Sequence, residues 1–191
     1  PHSPLLISID QEGGRVSRLR LIGNEPPNAQ ELRDSANLGL IRRHGDITGR
    51  LLRLFGFNLD LCPVLDISFD DEADNSLKGR CYGGDPQEVV NHAGVFNRAM
   101  RGAGVLSCAK HFPGYGGSDR PLEEEVATVR KSLEELKRLE LAPFFAVTAS
   151  APGTDPAVTD AVLTSHIKYA GFQGNIRAQT RPISLDPQAF A

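Results

Sequence analysis

A lysine and a histidine stand side by side in the stretch LSCAKHFPGYGG, residues 106–117. Lys110 ends an otherwise apolar run, and lysine is rarely buried without a partner or a task. His111 adds an imidazole that can take up or release a proton near neutral pH. The pair therefore indicates a binding or proton-transfer site. The structural alternative is a lysine whose ammonium reaches solvent beside a histidine that caps the strand.

Two glycine-rich segments add further polar groups. IDQEGGRVSRLR (9–20) places Asp10 directly after an apolar run and Arg18 beyond a Gly-Gly turn, and NSLKGRCYGGDP (75–86) carries Arg80 at its centre. Carboxylates and guanidinium groups form strong charge-assisted hydrogen bonds to polar ligands, although arginines in such loops are often simply solvated. Neither segment has the spacing of a phosphate-binding loop.

A metal site is a weaker interpretation of the same residues. His166 follows another apolar run and could join Asp10 and His111, but the sequence has no His-x-His or His-Glu-x-x-His spacing. The sequence therefore gives little support to a metal-dependent hydrolase. We expect neither a metal nor any other cofactor.

The polar residues follow four apolar runs that have the length of buried strands. These runs cover 5–9, 57–67, 105–112 and 161–167. Amphipathic stretches between them predict helices at 30–55, 85–102 and 132–141, and a further helix from Asp186. Asp85-Pro86 and the Ser132/Glu135 capping box are typical helix starts.

Strands that alternate with long helical crossovers imply a parallel sheet with right-handed connections. Two α/β architectures fit: an open doubly wound sheet and a (β/α)8 barrel, for which four strands are too few. Ligands bind at the carboxyl ends of the strands in both. The residues at these ends are Asp10, Asp66, Lys110, His111, Ser165 and His166. This placement favours the barrel, as a single domain over residues 1–191.

Charge and composition exclude several classes of protein. The net charge is -3, with 21 Lys and Arg spread among 24 Asp and Glu, which argues against nucleic-acid binding. No apolar run is long enough to cross a membrane, and the first residues do not resemble a signal peptide. Three cysteines without a CxxC pair favour free thiols and a cytoplasmic location. The chain starts and stops within predicted elements, so we expect a piece of a longer protein.

Six blocks together resemble glycoside hydrolase family 3, in its β-N-acetylhexosaminidase branch. In the family's order they are IDQEGGRVSRL, GFNLDLCPVLDI, LKGRCYGGDP, AKHFPGYG, SLEELKRLELAPF and VLTSHI. The resemblance implies a partial TIM-type (β/α)8 barrel with about strands 2 to 5 present. It also implies retaining hydrolysis of β-linked sugars by a β-N-acetylhexosaminidase or a β-glucosidase-like enzyme. The residues that it implies for holding the terminal sugar are Asp10, Arg18, Arg80, Lys110 and His111.

The resemblance leaves the two reacting groups of a retaining glycosidase, a nucleophile and an acid/base, without their usual residues. The family's nucleophile is an aspartate in an S-D-D-like motif, and nothing after His166 matches it. Pro121 and Glu123 stand where the family's acid/base motif has Asp and His. Glu123 is therefore the candidate acid/base and Asp119 a second one, unless the group comes from elsewhere in a longer protein. The alternative function is a non-catalytic carbohydrate-binding relative. Tyr115 marks another departure, because the family usually has histidine there.

Overall fold

A four-stranded parallel sheet lies at the centre of the fold. The computed structural model describes residues 5–73, 75–119, 121, 125–149, 158–172 and 181–187. The strands are β1 (Ser8–Ile9), β2 (Leu59–Asp60), β3 (Leu106–Phe112), β4 (Thr128–Val129), β5 (Ala161–Thr164) and β6 (Lys168–Tyr169). The central sheet has the order β1-β2-β3-β5, and β4 and β6 form a separate parallel pair.

The strand order distinguishes the two architectures that the sequence left open. Every neighbouring pair in the central sheet is parallel, and the order follows the chain. A doubly wound sheet would reverse its order at a switch point, whereas a barrel adds each strand on the same side. The fold is therefore part of a TIM-type barrel, as the sequence predicts.

Within the described residues, five α-helices cover the sheet and its loops. They are α1 (Ala29–Asp34), α2 (Leu38–Leu54), α3 (Pro86–Gly102), α4 (Leu133–Arg138) and α5 (Ala142–Thr148), with 3-10 turns at Leu19–Leu21 and Ile183–Leu185. The predicted starts are confirmed: the Asp85 carboxylate caps α3, and Ser132 with Glu135 forms the capping box of α4. No helix in the described part of the chain is long and apolar enough to span a membrane.

Two predicted helices differ from the structure. The helix expected over 30–55 breaks around Ala36, which has a φ of 50°, and restarts where the Asn37 side chain accepts from the Leu40 N–H. Asparagine side chains compete for backbone groups in this way, so apolar spacing alone misses the break. The helix expected over 132–141 ends at Arg138, and α5 was not predicted. Of the helix expected from Asp186, residues 188–191 lie outside the described residues.

Two predicted strands are shorter than expected. The apolar run 57–67 pairs as a strand only over Leu59–Asp60, with a bridge from Val64 to Lys110. Pro63 lies between these points and has no N–H to donate to a ladder. The run 161–167, expected to be buried on both faces, is largely exposed in β5, the last strand of the described sheet. Its position at the edge leaves one side without a neighbour among the described strands.

Helices α2 and α3 pack closely because glycines line their contact. A Cβ on Gly45 would lie 2.5 Å from the Phe96 carbonyl oxygen, and one on Gly49 would lie 2.7 Å from the Ala103 Cβ. Phe96 is fully buried in the main apolar core beneath this contact. The close approach fixes the position of α2 relative to α3, and α3 directly follows the loop that carries Arg80.

Gly45→Ala tests this contact. We expect the free energy of unfolding of the complete protein to fall by about 1–2 kcal/mol, because overpacking outweighs the helix propensity gained. Chemical denaturation measures the change. Gly102→Ala in α3 is the matched control, since its Cβ would meet nothing within 4 Å, and it should be neutral or stabilising. Equal effects at both positions would contradict the packing argument.

Candidate functional site

The Lys110 ammonium lies between two carboxylates at the carboxyl ends of β1 and β3. Its Nζ is 2.7 Å from Asp10 Oδ1 and 2.6 Å from Glu12 Oε1, and the lysine is only 1% exposed. Burial by itself lowers the pKa of Lys110, but the Glu12 and Asp10 carboxylates outweigh burial and raise it. Lys110 is therefore a buried, charged donor, and the interpretation of a solvent-reaching lysine is wrong.

Glu12 connects Lys110 to Arg80 through a second ion pair. The guanidinium binds the carboxylate in a bidentate manner, with Nε 2.8 Å from Oε2 and Nη2 2.8 Å from Oε1. Burial raises the pKa of Glu12, but the hydrogen bonds and charges of Arg80 and Lys110 prevail and hold it below its usual value. Arg80 also donates to the Ser76 carbonyl. Glu12 thus fixes two cations from different loops.

Asp66 fixes the orientation of His111. Its Oδ2 lies 2.7 Å from His111 Nδ1 and 3.1 Å from the His111 backbone nitrogen. A carboxylate only accepts hydrogen bonds, so Nδ1 donates to Asp66, and in the neutral ring Nε2 then carries a lone pair. Nε2 lies 3.5 Å from Arg80 Nη2, on the side of the ion pairs. His111 can therefore accept a hydrogen bond from a ligand hydroxyl.

Tyr115, where the sequence departs from the family pattern, supports this arrangement. Its backbone N–H donates to Asp66 Oδ1 at 2.8 Å, and its ring centroid lies 4.9 Å from that of His111. Burial is the main cause that raises the pKa of the phenol, which stays protonated at neutral pH. Tyr115 packs against His111 and does not act as an acid or base near neutral pH.

The comparisons with known proteins agree with this geometry. The model of the glycosyl hydrolase family 3 N-terminal domain matches residues 2–190. The chain belongs to this family. The family 3 barrel accounts for the parallel strand order and for a polar site at the carboxyl ends of β1 and β3.

Three relatives illustrate the match. Beta-hexosaminidase LpqI of Mycobacterium tuberculosis is 36% identical over 188 residues, which cover 97% of this chain and 45% of that protein. The family 3 beta-N-acetylglucosaminidase structure from a Paenibacillus species has a TM-score of 0.80 and 33% identity, over 98% of this chain and 33% of that one. The structure of NagZ from Neisseria gonorrhoeae in complex with N-trifluoroacetyl-D-glucosamine has a TM-score of 0.79 and 26% identity, over 94% of this chain and 50% of that one. The chain spans about half the length of the curated relatives it matches.

Four of the five predicted sugar-binding residues come together in this family 3 site. Asp10, Lys110, Arg80 and His111 are linked by the contacts above. Arg18 is exposed, and its contact to the site loop is its backbone N–H, which donates to Gln11 Oε1 at 2.9 Å.

The predicted catalytic candidates are less defined. Glu123 lies outside the described residues. Asp119 is exposed and engaged elsewhere, with Oδ1 accepting from the Thr128 N–H and Oδ2 near Arg130. The Nδ1 atom of His166, the histidine considered for a metal site, is hydrogen-bonded to Ser184 Oγ. In the described part of the chain no group of three His, Cys, Asp or Glu side chains could hold a metal ion.

Two functional residues were missed. Glu12 lies within the quoted segment 9–20, and Asp66 was noted only as an acid at a strand end. Each is buried and holds a charged or polar partner far away in sequence, 68 residues for Glu12 and Arg80, and 45 for Asp66 and His111. A usable signal was the presence of acids next to apolar runs, in IDQEGG and PVLDI.

Asp66→Asn in the complete protein tests the role of the His111 tautomer. In wild type, Asp66 Oδ2 accepts from both the backbone N–H and the Nδ1 of His111. An asparagine amide group that places its N–H₂ there cannot accept from either of them, so the His111 tautomer is no longer fixed. Charge-assisted hydrogen bonds of this kind contribute about 1.5–3 kcal/mol, and we expect binding of N-acetylglucosamine to weaken about tenfold or more in a calorimetric titration. Asp71→Asn, at a partly exposed pair with Arg33, is the control. Unchanged affinity in Asp66→Asn would disprove this role.

Proposed function

We propose that the complete protein hydrolyses β-linked glycosides with a terminal N-acetylhexosamine, and that the site described here holds that terminal sugar. The observation that carries the proposal is the buried Asp10–Lys110–Glu12–Arg80 array beside His111. The relatives named beta-hexosaminidase support the reaction class. The N-acetylglucosamine analogue in the NagZ structure supports the sugar.

The array has the chemistry to hold a sugar ring. A pyranose presents hydroxyl groups that both donate and accept hydrogen bonds. The partly exposed Asp10 carboxylate and the His111 Nε2 lone pair can accept from such hydroxyls, and the Lys110 ammonium can donate to them. Contacts that tighten as the ring flattens toward an oxocarbenium-like transition state contribute to rate as well as to binding.

Retaining hydrolysis also needs a nucleophile and an acid/base about 5 Å apart. The residues after His166 contain no S-D-D-like motif, so we place the nucleophile in a part of the complete protein beyond residue 191. We assign His111 to binding, as the family resemblance implies, with its Nε2 on the side of the ion pairs. We assign the acid/base role to Glu123, because it stands where the family's acid/base motif has histidine and a glutamic acid can protonate a leaving group.

The missing family motifs favour one second candidate function, a carbohydrate-binding relative without turnover. Such a protein would keep the array and would need neither reacting group. It would therefore bind N-acetylglucosamine while failing to hydrolyse any glycoside.

Hydrolysis of two substrates with different leaving groups tests the proposal. We expect the complete protein to release 4-nitrophenol from its N-acetyl-β-D-glucosaminide and to cleave N,N'-diacetylchitobiose. The Glu123→Gln variant should lose most of its turnover of the disaccharide, whose poor leaving group needs protonation, and keep more of its turnover of the activated aryl substrate. The measurement is kcat/KM for both substrates.

Glu134→Gln, at an exposed position on α4, serves as the matched control and should leave both substrates unaffected. Equal losses on both substrates in Glu123→Gln would count against Glu123 as the acid. Hydrolysis by residues 1–191 alone would contradict a nucleophile beyond residue 191. Sugar binding without hydrolysis in the complete protein would favour the second candidate.

A further inference from the structure

Two histidines lie behind the Glu12–Arg80 ion pair. His44 on α2 is buried, and its Nε2 lies 3.4 Å from the backbone carbonyl oxygen of Glu12. His92 on α3 has Nδ1 2.9 Å from the backbone carbonyl oxygen of Tyr82, two residues after Arg80. His44 thus contacts the loop between β1 and α1, and His92 contacts the loop that precedes its own helix.

One aromatic ring joins the two histidine contacts into a layer. The Phe96 ring of α3 lies with its centroid 5.5 Å from that of His44 and 6.0 Å from that of Tyr82. We call His44, His92, Phe96 and Tyr82 the histidine layer. Because α2 and α3 are locked together at Gly45, the layer connects both loops to one rigid support.

The chain leaves the Glu12 loop little freedom to move away from this support. A Cβ on Gly13, which has a φ of 108°, would lie 2.3 Å from the Pro27 carbonyl oxygen and 3.4 Å from the His44 ring. The loop therefore fits directly against His44. The position of the Glu12 carboxylate depends on the direction of this backbone, because the side chain extends from the residue whose carbonyl His44 contacts.

We propose that His44 and His92 are positioning residues for sugar binding, which hold the main chain of the two loops so that Glu12 and Arg80 meet in bidentate geometry. This inference rests on the proposed function for its kinetic consequence. Neither histidine touches the sugar subsite; both act through Glu12 and Arg80, which in turn orient Lys110 and His111.

The chemistry of the imidazole groups supports this role. Burial is the main cause that lowers the pKa of His44, so its ring is neutral near pH 7. A neutral ring has one N–H, and the contact with a carbonyl oxygen places it on Nε2. His92 donates from Nδ1 to the Tyr82 carbonyl, because a carbonyl oxygen only accepts hydrogen bonds. Glutamine can present an N–H at the place of Nε2 and asparagine at the place of Nδ1, which provides conservative replacements.

Kinetics of the complete protein test the functional part of the proposal. We expect His44→Leu and His92→Leu each to raise KM for the aryl N-acetylglucosaminide about fivefold or more, with kcat per folded molecule nearly unchanged. His44→Gln and His92→Asn should restore most of the affinity. Met100→Ala is the control, because Met100 is a fully buried α3 residue outside the histidine layer. A purely structural role would lower thermal stability in all three destabilised variants and leave KM unchanged.

Hydrogen exchange tests the positioning itself and needs no activity. The Glu12 and Gly13 amides donate to the Val16 carbonyl, and the Arg80 amide donates to the Leu77 carbonyl. We expect faster exchange at 12–14 in His44→Leu and at 80–83 in His92→Leu, and no local change there in Met100→Ala. Exchange that is unchanged in both leucine variants, or equal to that of Met100→Ala, would overturn the proposal. Failure of the wild-type protein to hydrolyse would refute the proposed function, while the exchange result still decides the positioning.

Discussion

The burial of the Lys110 ammonium is the constraint on which the site depends. A charge out of water is tolerated only when it is paired and hydrogen-bonded, because its desolvation costs several kcal/mol or more. Asp10 and Glu12 supply the pairing, and Glu12 is itself compensated by Arg80. These ion pairs connect the loop after β1, the loop after β2 and the end of β3. The charges therefore also define the shape of the site.

The loop after His111 is fixed by close packing and hydrogen bonds. A Cβ on Gly116 would lie 1.9 Å from the Ile67 carbonyl oxygen, and Gly114 has a φ of 106°, which favours glycine. The Tyr169 hydroxyl donates to the Gly114 carbonyl at 2.7 Å. Because Asp66 accepts from both His111 and Tyr115, the histidine and the loop that follows it are positioned by the same buried carboxylate.

Local patterns in the sequence predicted the four central strands, the starts of α3 and α4 and the polar residues that end the strands, but not α5 or the pair β4 and β6. Lys110 and His111 were recognised because they interrupt an apolar run. Their position at the carboxyl ends of the barrel strands was predicted from the alternation of strands and helices. Glu12 and Asp66 were not assigned because their roles depend on partners 68 and 45 residues away, which no local period encodes. The break near Ala36 was missed for the opposite reason: a polar cap interrupted a continuous apolar stripe.

The central claim is that Glu12 organises the cations that hold the sugar. Calorimetric titration of the complete protein with N-acetylglucosamine, comparing Glu12→Gln with the exposed control Glu134→Gln on α4, tests it most directly. The neutral amide leaves Lys110 and Arg80 without their shared charge, and we predict affinity about tenfold or more below that of the wild type, or about 1.4 kcal/mol. Affinity equal to that of Glu134→Gln in folded protein would contradict the claim.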